Sequence, residues 1–406
     1  MTTNSKDPIV IVEALRTPIG SFQSTLKSLK ATDLGAVVVR GLMHMTDLPK
    51  DAVDEVIMGS VLQAGQGQAP ARQVVMKAGL SESTSAITLN KVCGSGMKAV
   101  MMGASQILAG ESSVVIAGGM ESMSNAPFFI DRPGRKEAPP ADPDYKDHMF
   151  HDGLHDAYVK GTSMGIYAEE AVAKYKFTRD QQDAFAVQSV TKAKEAARDR
   201  LFEREIVPIV LKMGEEGMDI STDEPIERAK LEKIPQLKPA FKEDGTITAA
   251  TASAITDGAA GLLLMRASEA KKRGLEPRAK IVSYAAAGLE PKWFTLAPID
   301  AITKVMERAK WSAKDVDLYE INEAFAVVAM AAQKDLGIPD DKLNVHGGAC
   351  ALGHPIGASG ARILVTLINA LKARKAKRGI ASLCIGGGEG VAMAVELVPD
   401  SKTHSD

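Results

Sequence analysis

At 406 residues, 45% apolar and 25% charged, the chain has ordinary globular composition but exceeds what one hydrophobic core serves, so two or more core units are expected. With 49 basic and 51 acidic side chains it carries a formal charge of −2, which excludes a global field for holding nucleic acid. No apolar run approaches the ~20 residues of a membrane span, Met1–Pro8 lacks the order of a secretory signal, and three widely spaced cysteines form neither a disulfide framework nor a C-x-x-C zinc pair, so a cytoplasmic protein without a membrane partner is expected.

In chain order, Lys50–Val61 (KDAVDEVIMGSV) reads as a Lys-Asp and a Val-Asp pair, a strand and a turn. Ala86–Val92 is strand-like, Cys93–Val100 (CGSGMKAV) opens an apolar helix, and Ser113–Gly119 is a β-rich run ending in glycines. Asn125–Lys160 is irregular and rich in Pro, Asp, His and aromatics. Glu169–Arg204 carries one long charge-studded helical pattern, whose stretch Ala184–Arg200 reads as a solvated face, and Lys212–Lys242 is polar and broken by Pro. About Asn125–Ala249 therefore reads as an insertion, and Thr251–Met265 as the return to the first unit. The opening order then recurs. Lys314–Phe325 (KDVDLYEINEAF) repeats the pairs and the strand, His354–Ile363 (HPIGASGARI) opens a second helix, and Ile380–Gly388 is a second strand running into glycines. Repetition at this scale predicts duplicated α/β domains, with mostly parallel sheets covered by helices, over residues 1–276 and 277–406. Residues past Val398 read as a frayed end.

Chemistry gathers at the glycine-rich turns. Cys93 sits between a strand and a helix N-terminus, where exposed N–H groups and the helix dipole favour a thiolate. Gly94–Ala99 also fits a dinucleotide fingerprint with Glu121 as ribose partner, but that reading leaves the two later turns unexplained. His354, displayed on a loop among glycines, suits a general base. Cys384 meets Gly386-Gly387-Gly388, whose N–H groups suit an oxyanion, and Asn322 and Glu323 end a strand in the same half. His148, His151 and His155 fit no metal-ligand spacing. Arg228, Lys230 and Lys238 lie in the insertion as candidate phosphate partners.

Taken together, the turn Cys93–Gly96, Gly118–Ser124 (GGMESMS), Asn322–Ala326 (NEAFA), Gly353–Gly360 (GHPIGASG) and Cys384–Gly390 (CIGGGEG) resemble the thiolases, in both halves and along nearly the whole chain. The resemblance implies two duplicated halves stacked as a five-layered αβαβα fold, a loop domain inserted in the first, and a homo-oligomer, dimer or tetramer. It implies that Cys93 accepts an acyl group from coenzyme A with His354 as its base. Cys384 would exchange the α-proton, Asn322 would hold a water at the enolate oxygen, and the N–H groups of Cys93 and Gly386 would face the other thioester oxygen. Ser253, Leu154, Met164 and Phe241 would line the path of the acyl-CoA substrate, Phe325 would border the acyl pocket, and Arg228 would approach its nucleotide. No metal and no separate cofactor are implied, because the CoA thioesters are themselves substrates. Ser163 stands where many biosynthetic members carry His, and His346 where Asn is usual. The leading expectation is condensation of two acetyl-CoA. Alternatives are cleavage of longer 3-ketoacyl-CoA, a non-catalytic acyl-CoA carrier, and a decarboxylating synthase, whose pattern would need a second His at Cys384.

Overall fold

The computed structural model describes residues 6–134, 140, 142–213 and 216–399; the end beyond residue 399 lies outside them. In chain order the main elements of the first half are β1 (Ile9–Arg16), α1 (Ala31–Thr46), β2 (Glu55–Gly59), α2 (Pro70–Ala78), β3 (Ser85–Leu89), α3 (Ser95–Ala109) and β4 (Val114–Ser122). The insertion contributes α4 (Met164–Tyr175) and α5 (Arg179–Arg198), and β5 (Thr256–Arg266) returns to the first half. The second half follows with β6 (Ala279–Gly288), α6 (Ala297–Ala309), β7 (Leu318–Ile321), α7 (Ala326–Leu336), α8 (Ile356–Ala373), β8 (Arg378–Ile385) and β9 (Glu389–Leu397).

The two halves repeat one strand pattern. In the first, β3 and β4 flank β2 in parallel, and β5 and then β1 continue antiparallel. In the second, β7 pairs parallel with β8, and β9 and then β6 continue antiparallel. A single parallel bridge, Tyr319 to Leu343, stands where the first half has β3. Among the described residues the two sheets pair only through Val10–Lys280 and Ile11–Ala279, a corner rather than a shared face. Apolar side chains of α3 and α8 fill the space between them, as Met97, Val100, Ile107, Ile363, Leu364 and Leu367 pack with Val115 and Leu262 on one side and Leu383 and Val391 on the other. Helices α1 and α2 cover the outer face of the first sheet, and α6 and α7 that of the second, which gives five layers of αβαβα.

In the middle layer, every position from Ile356 to Leu371 is buried. Helix α8 therefore has the length and hydropathy of a membrane span, yet it is 89% buried inside the protein. Helices α3 and α8 cross at their first turns at backbone distance. A Cβ at Gly96 would lie 2.8 Å from the Ala361 nitrogen, and one at Gly360 only 2.4 Å from that of Met97.

The long helical pattern of the insertion is two helices. Lys176 adopts φ 57°, and Thr178 starts α5 by accepting from the Gln181 N–H while Gln181 answers to the Thr178 N–H. The stretch Ala184–Arg200 is not simply solvated, because Ala186, Ser189, Val190, Ala193 and Ala196 bury one stripe of α5. A buried cation anchors the insertion: Arg16 on β1 donates to Glu205 at 2.6 Å and in bidentate fashion to Asp223 at 2.7 and 2.8 Å.

Candidate active site

Cys93 stands on a strained turn between β3 and α3. The preceding Val92 holds φ at 44°, costly for a β-branched residue. The turn is closed by Gly94 N–H to Lys91 O and Ser95 N–H to Val92 O, both 3.0 Å, and by Ser95 Oγ, which accepts from Lys91 N–H at 2.8 Å. Lys91 reaches Glu389 at 2.6 Å, pinning this turn to the start of β9 in the other half, just past the glycines that follow β8.

His354 arrives from the second half just before α8, its N–H donating to Ala254 O at 3.0 Å. Its Nδ1 lies 2.5 Å from Ser359 Oγ, and that hydroxyl is itself 3.0 Å from Pro355 O. With the serine proton given to the carbonyl, Ser359 accepts from Nδ1–H, which leaves Nε2 as the unprotonated nitrogen. Nε2 is buried and has no hydrogen-bond partner among the described residues. Asn322 places its amide nitrogen 3.4 Å from Nδ1, held by its N–H to Ser382 O at 3.0 Å. Cys384 is fully buried near the end of β8, paired with Gly390.

Burial dominates the electrostatics. It pushes the Cys93 thiol up to about 11, although the N–H groups of Gly386 and Cys93 itself pull the other way by bonding its sulfur. Burial raises Cys384 well above the ordinary thiol value, and the charge of Cys93 adds to it. Burial, helped by Arg362, brings His354 down to about 3. At neutral pH the site thus holds two neutral thiols and a neutral imidazole.

A cavity of about 190 Å³ opens onto this group. Cys93, His354, Gly386, Ser253, Leu154, Met164, Phe241 and Phe325 all line it. Asn322 and Cys384 do not; they stand behind it, one against His354 and the other two residues before Gly386. Arg228 is elsewhere, exposed, paired with Glu224 at 2.7 Å and donating to Ser24. Sequence reasoning passed over Phe150, Ile255, Phe294 and Ile356 in the cavity wall, and Ser359 behind His354. Phe294 comes from an irregular segment with no motif, whereas Ser359 lay inside a motif already singled out. Glu121 cannot serve as a ribose partner, because it is wholly buried with its oxygens taken by backbone N–H groups. His148 is committed to Asp152 at 2.6 Å and to Ala64 N–H, and among the described residues no group of three His, Cys, Asp or Glu could hold a metal ion.

The chain is similar to known proteins along nearly its whole length. Residues 9–268 match the family model described as thiolase, N-terminal domain, and residues 275–397 that of the thiolase C-terminal domain. The chain belongs to the thiolase family. It is 48% identical to a protein of Allochromatium vinosum named acetyl-CoA acetyltransferase, over 96% of this chain and 98% of that one. An Escherichia coli protein of the same name is 47% identical over 95% and 98%. Among solved thiolases, that of Ascaris suum in complex with coenzyme A aligns with a TM-score of 0.90 at 44% identity, covering 96% of this chain and all of that one. The Bacillus anthracis acetyl-CoA acetyltransferase aligns at 0.92 and 40% identity, covering 97% and 100%. As in any thiolase, the chemistry to be explained is acyl transfer between thioesters.

Proposed function

We propose that this thiolase is an acetyl-CoA C-acetyltransferase, joining two acetyl-CoA reversibly into acetoacetyl-CoA and CoA through an acetyl-cysteine. The observation that carries the reading is the meeting, at one apolar cavity, of Cys93 from the first half with His354 and Gly386 from the second. The names of relatives at 47% and 48% identity support the short acyl chain.

In the first half-reaction Cys93 gives its proton to Nε2 of His354 while its sulfur attacks the thioester carbon. The bond from that carbon to the CoA sulfur breaks, and the proton on His354 leaves with CoA. The N–H groups of Cys93 and Gly386 face the oxygen that gains charge. In the second half-reaction the Cys384 thiol first passes its proton to Nε2 of His354, its thiolate then takes the α-proton of another acetyl-CoA, and the proton on His354 returns to the Cys93 sulfur as that sulfur is released. The resulting enolate, its oxygen facing His354 and a water held by Asn322, attacks the acetyl carbon and releases the Cys93 sulfur. Burial suits Cys384 to this exchange: a thiol with a raised pKa has a conjugate base strong enough for a C–H acid, and as the thiol it returns the proton in cleavage. Phe241, Phe294 and Phe325, packed edge to face at 5.6 and 6.3 Å between ring centres, crowd the wall and favour a short acyl group. Ser253 lies along the CoA path, and Arg228 is the candidate partner for its nucleotide end. The protein works as a homo-oligomer in the cytoplasm without a cofactor. Edge strand β3, with Ser85 and Ile87 exposed, offers one pairing surface.

A steady-state series of 3-ketoacyl-CoA cleavage rates tests the reading. Acetoacetyl-CoA is expected to exceed a long-chain substrate by about tenfold or more in kcat/KM, with ping-pong kinetics and acetyl-Cys93 detectable by mass spectrometry. Equal rates on long chains would overturn the acetyl preference.

A further inference from the structure

Two buried carboxylates without a part in the steps above bracket the loop that carries His354. Glu323, which follows β7, accepts from Cys350 N–H at 3.0 Å, Ser189 Oγ at 2.7 Å and Asn344 Nδ2 at 2.7 Å. The chain presses on it there, since a Cβ at Gly348 would lie 2.3 Å from its carboxyl carbon. On the far side of His354, Glu121 at the end of β4 accepts from Gly357 N–H at 2.8 Å, Val61 N–H at 3.0 Å and Leu62 N–H at 3.1 Å. A Cβ at Gly357 would fall 2.5 Å from its Oε2. Both side chains are fully buried, and every hydrogen-bond partner of Glu121 is neutral. A carboxylate kept in such a place is costly. What it obtains there is a rigid joint between the first sheet and the start of α8, three residues beyond the imidazole.

We infer that Glu121 is a positioning residue for acyl transfer, clamping the α8 side of the His354 loop as Glu323 clamps the other, so that Nε2 faces Cys93. The inference rests on the proposed roles of Cys93 and His354. Its electrostatics supply a second handle, because burial pushes Glu121 up to about 7 and its negative charge adds to the raised pKa of the Cys93 thiol. Loss of the charge and loss of the clamp therefore act in opposite directions on the sulfur and on the turnover.

In Glu121→Gln the amide oxygen retains the bonds from Val61 and Gly357, while its NH2 confronts the Leu62 N–H. The expected result is a kcat lower by about tenfold or more, KM for acetyl-CoA within about twofold, and alkylation of Cys93 by iodoacetamide at fixed pH no slower than in the parent. Glu121→Asp keeps the charge but draws back from Gly357, so it should lose kcat without gaining alkylation rate. A purely structural role predicts otherwise: turnover per folded molecule stays unchanged, or turnover and alkylation fall together with the folded fraction read by circular dichroism. Either result overturns the inference. Cys93→Ser assayed alongside keeps the two questions apart, since full turnover in that variant would remove Cys93 as nucleophile whatever Glu121 does.

Discussion

The first turn of α3 and the first turn of α8 occupy matching places in the duplicated halves, yet they carry opposite chemical partners. The α3 turn is narrow and strained, presenting a sulfur next to Val92 at φ 44°. The α8 turn is relaxed and well bonded, presenting an imidazole whose tautomer is set by Ser359. Duplication thus supplied two helix starts aimed at one place, and each was then free to take a different functional group. The halves also differ at their margins. Strand β3 is an exposed edge in the first, whereas its counterpart around Leu343–His346 is buried, with α5 reaching over it through Ser189 and Lys192.

The contrast can be broken most sharply at the two sulfurs. Cys93→Ser should lower both condensation and exchange of label between acetyl-CoA and CoA by on the order of a thousandfold or more. Cys384→Ser should stop condensation comparably while leaving that exchange largely intact; equal loss of exchange in both variants would erase the division of labour. A smaller effect is expected where the helices cross. In Gly360→Ala the new methyl would lie 2.4 Å from the Met97 nitrogen, so urea unfolding should show a loss of about 1–3 kcal/mol, with reduced turnover as the turns shift apart. The mildest test concerns the covered margin. Burial, with a smaller push from Arg374, holds His346 at about 4, against 6.5 ordinarily. The unfolded chain thus binds a proton below 6.5 that the folded one refuses until about 4, and stability from this group, present above 6.5, drains away as pH falls across that window. His346→Gln should flatten the decline by up to about 1.4 kcal/mol per pH unit, seen in urea midpoints at neutral and mildly acidic pH.

Much of this was legible in the residue order. The matched pairs at Lys50 and Lys314 marked β2 and β7, and the glycine-flanked Cys93, His354 and Cys384 marked strand ends and helix starts. Glycine carries its geometric requirement openly. The insertion read less well, because the break between α4 and α5 depends on one threonine cap inside a continuous apolar period. The cavity wall was harder still. Phe294 and Ile255 belong to it only because two sequence-distant halves close over one another, and nothing in their neighbours announces that. Glu121 was misleading on its own, since a lone acid after a glycine turn is equally a ribose ligand or a buried backbone acceptor until its surroundings are known.

The glycine crossing of α3 and α8 also limits how the chain can be divided. A gene cut between Arg266 and Ala279 would yield one polypeptide holding Cys93 and another holding His354, each with a greasy helix stripped of its mate. Neither fragment alone would line the cavity with both groups, and reassembly would have to restore a fit in which one additional carbon atom is already too much.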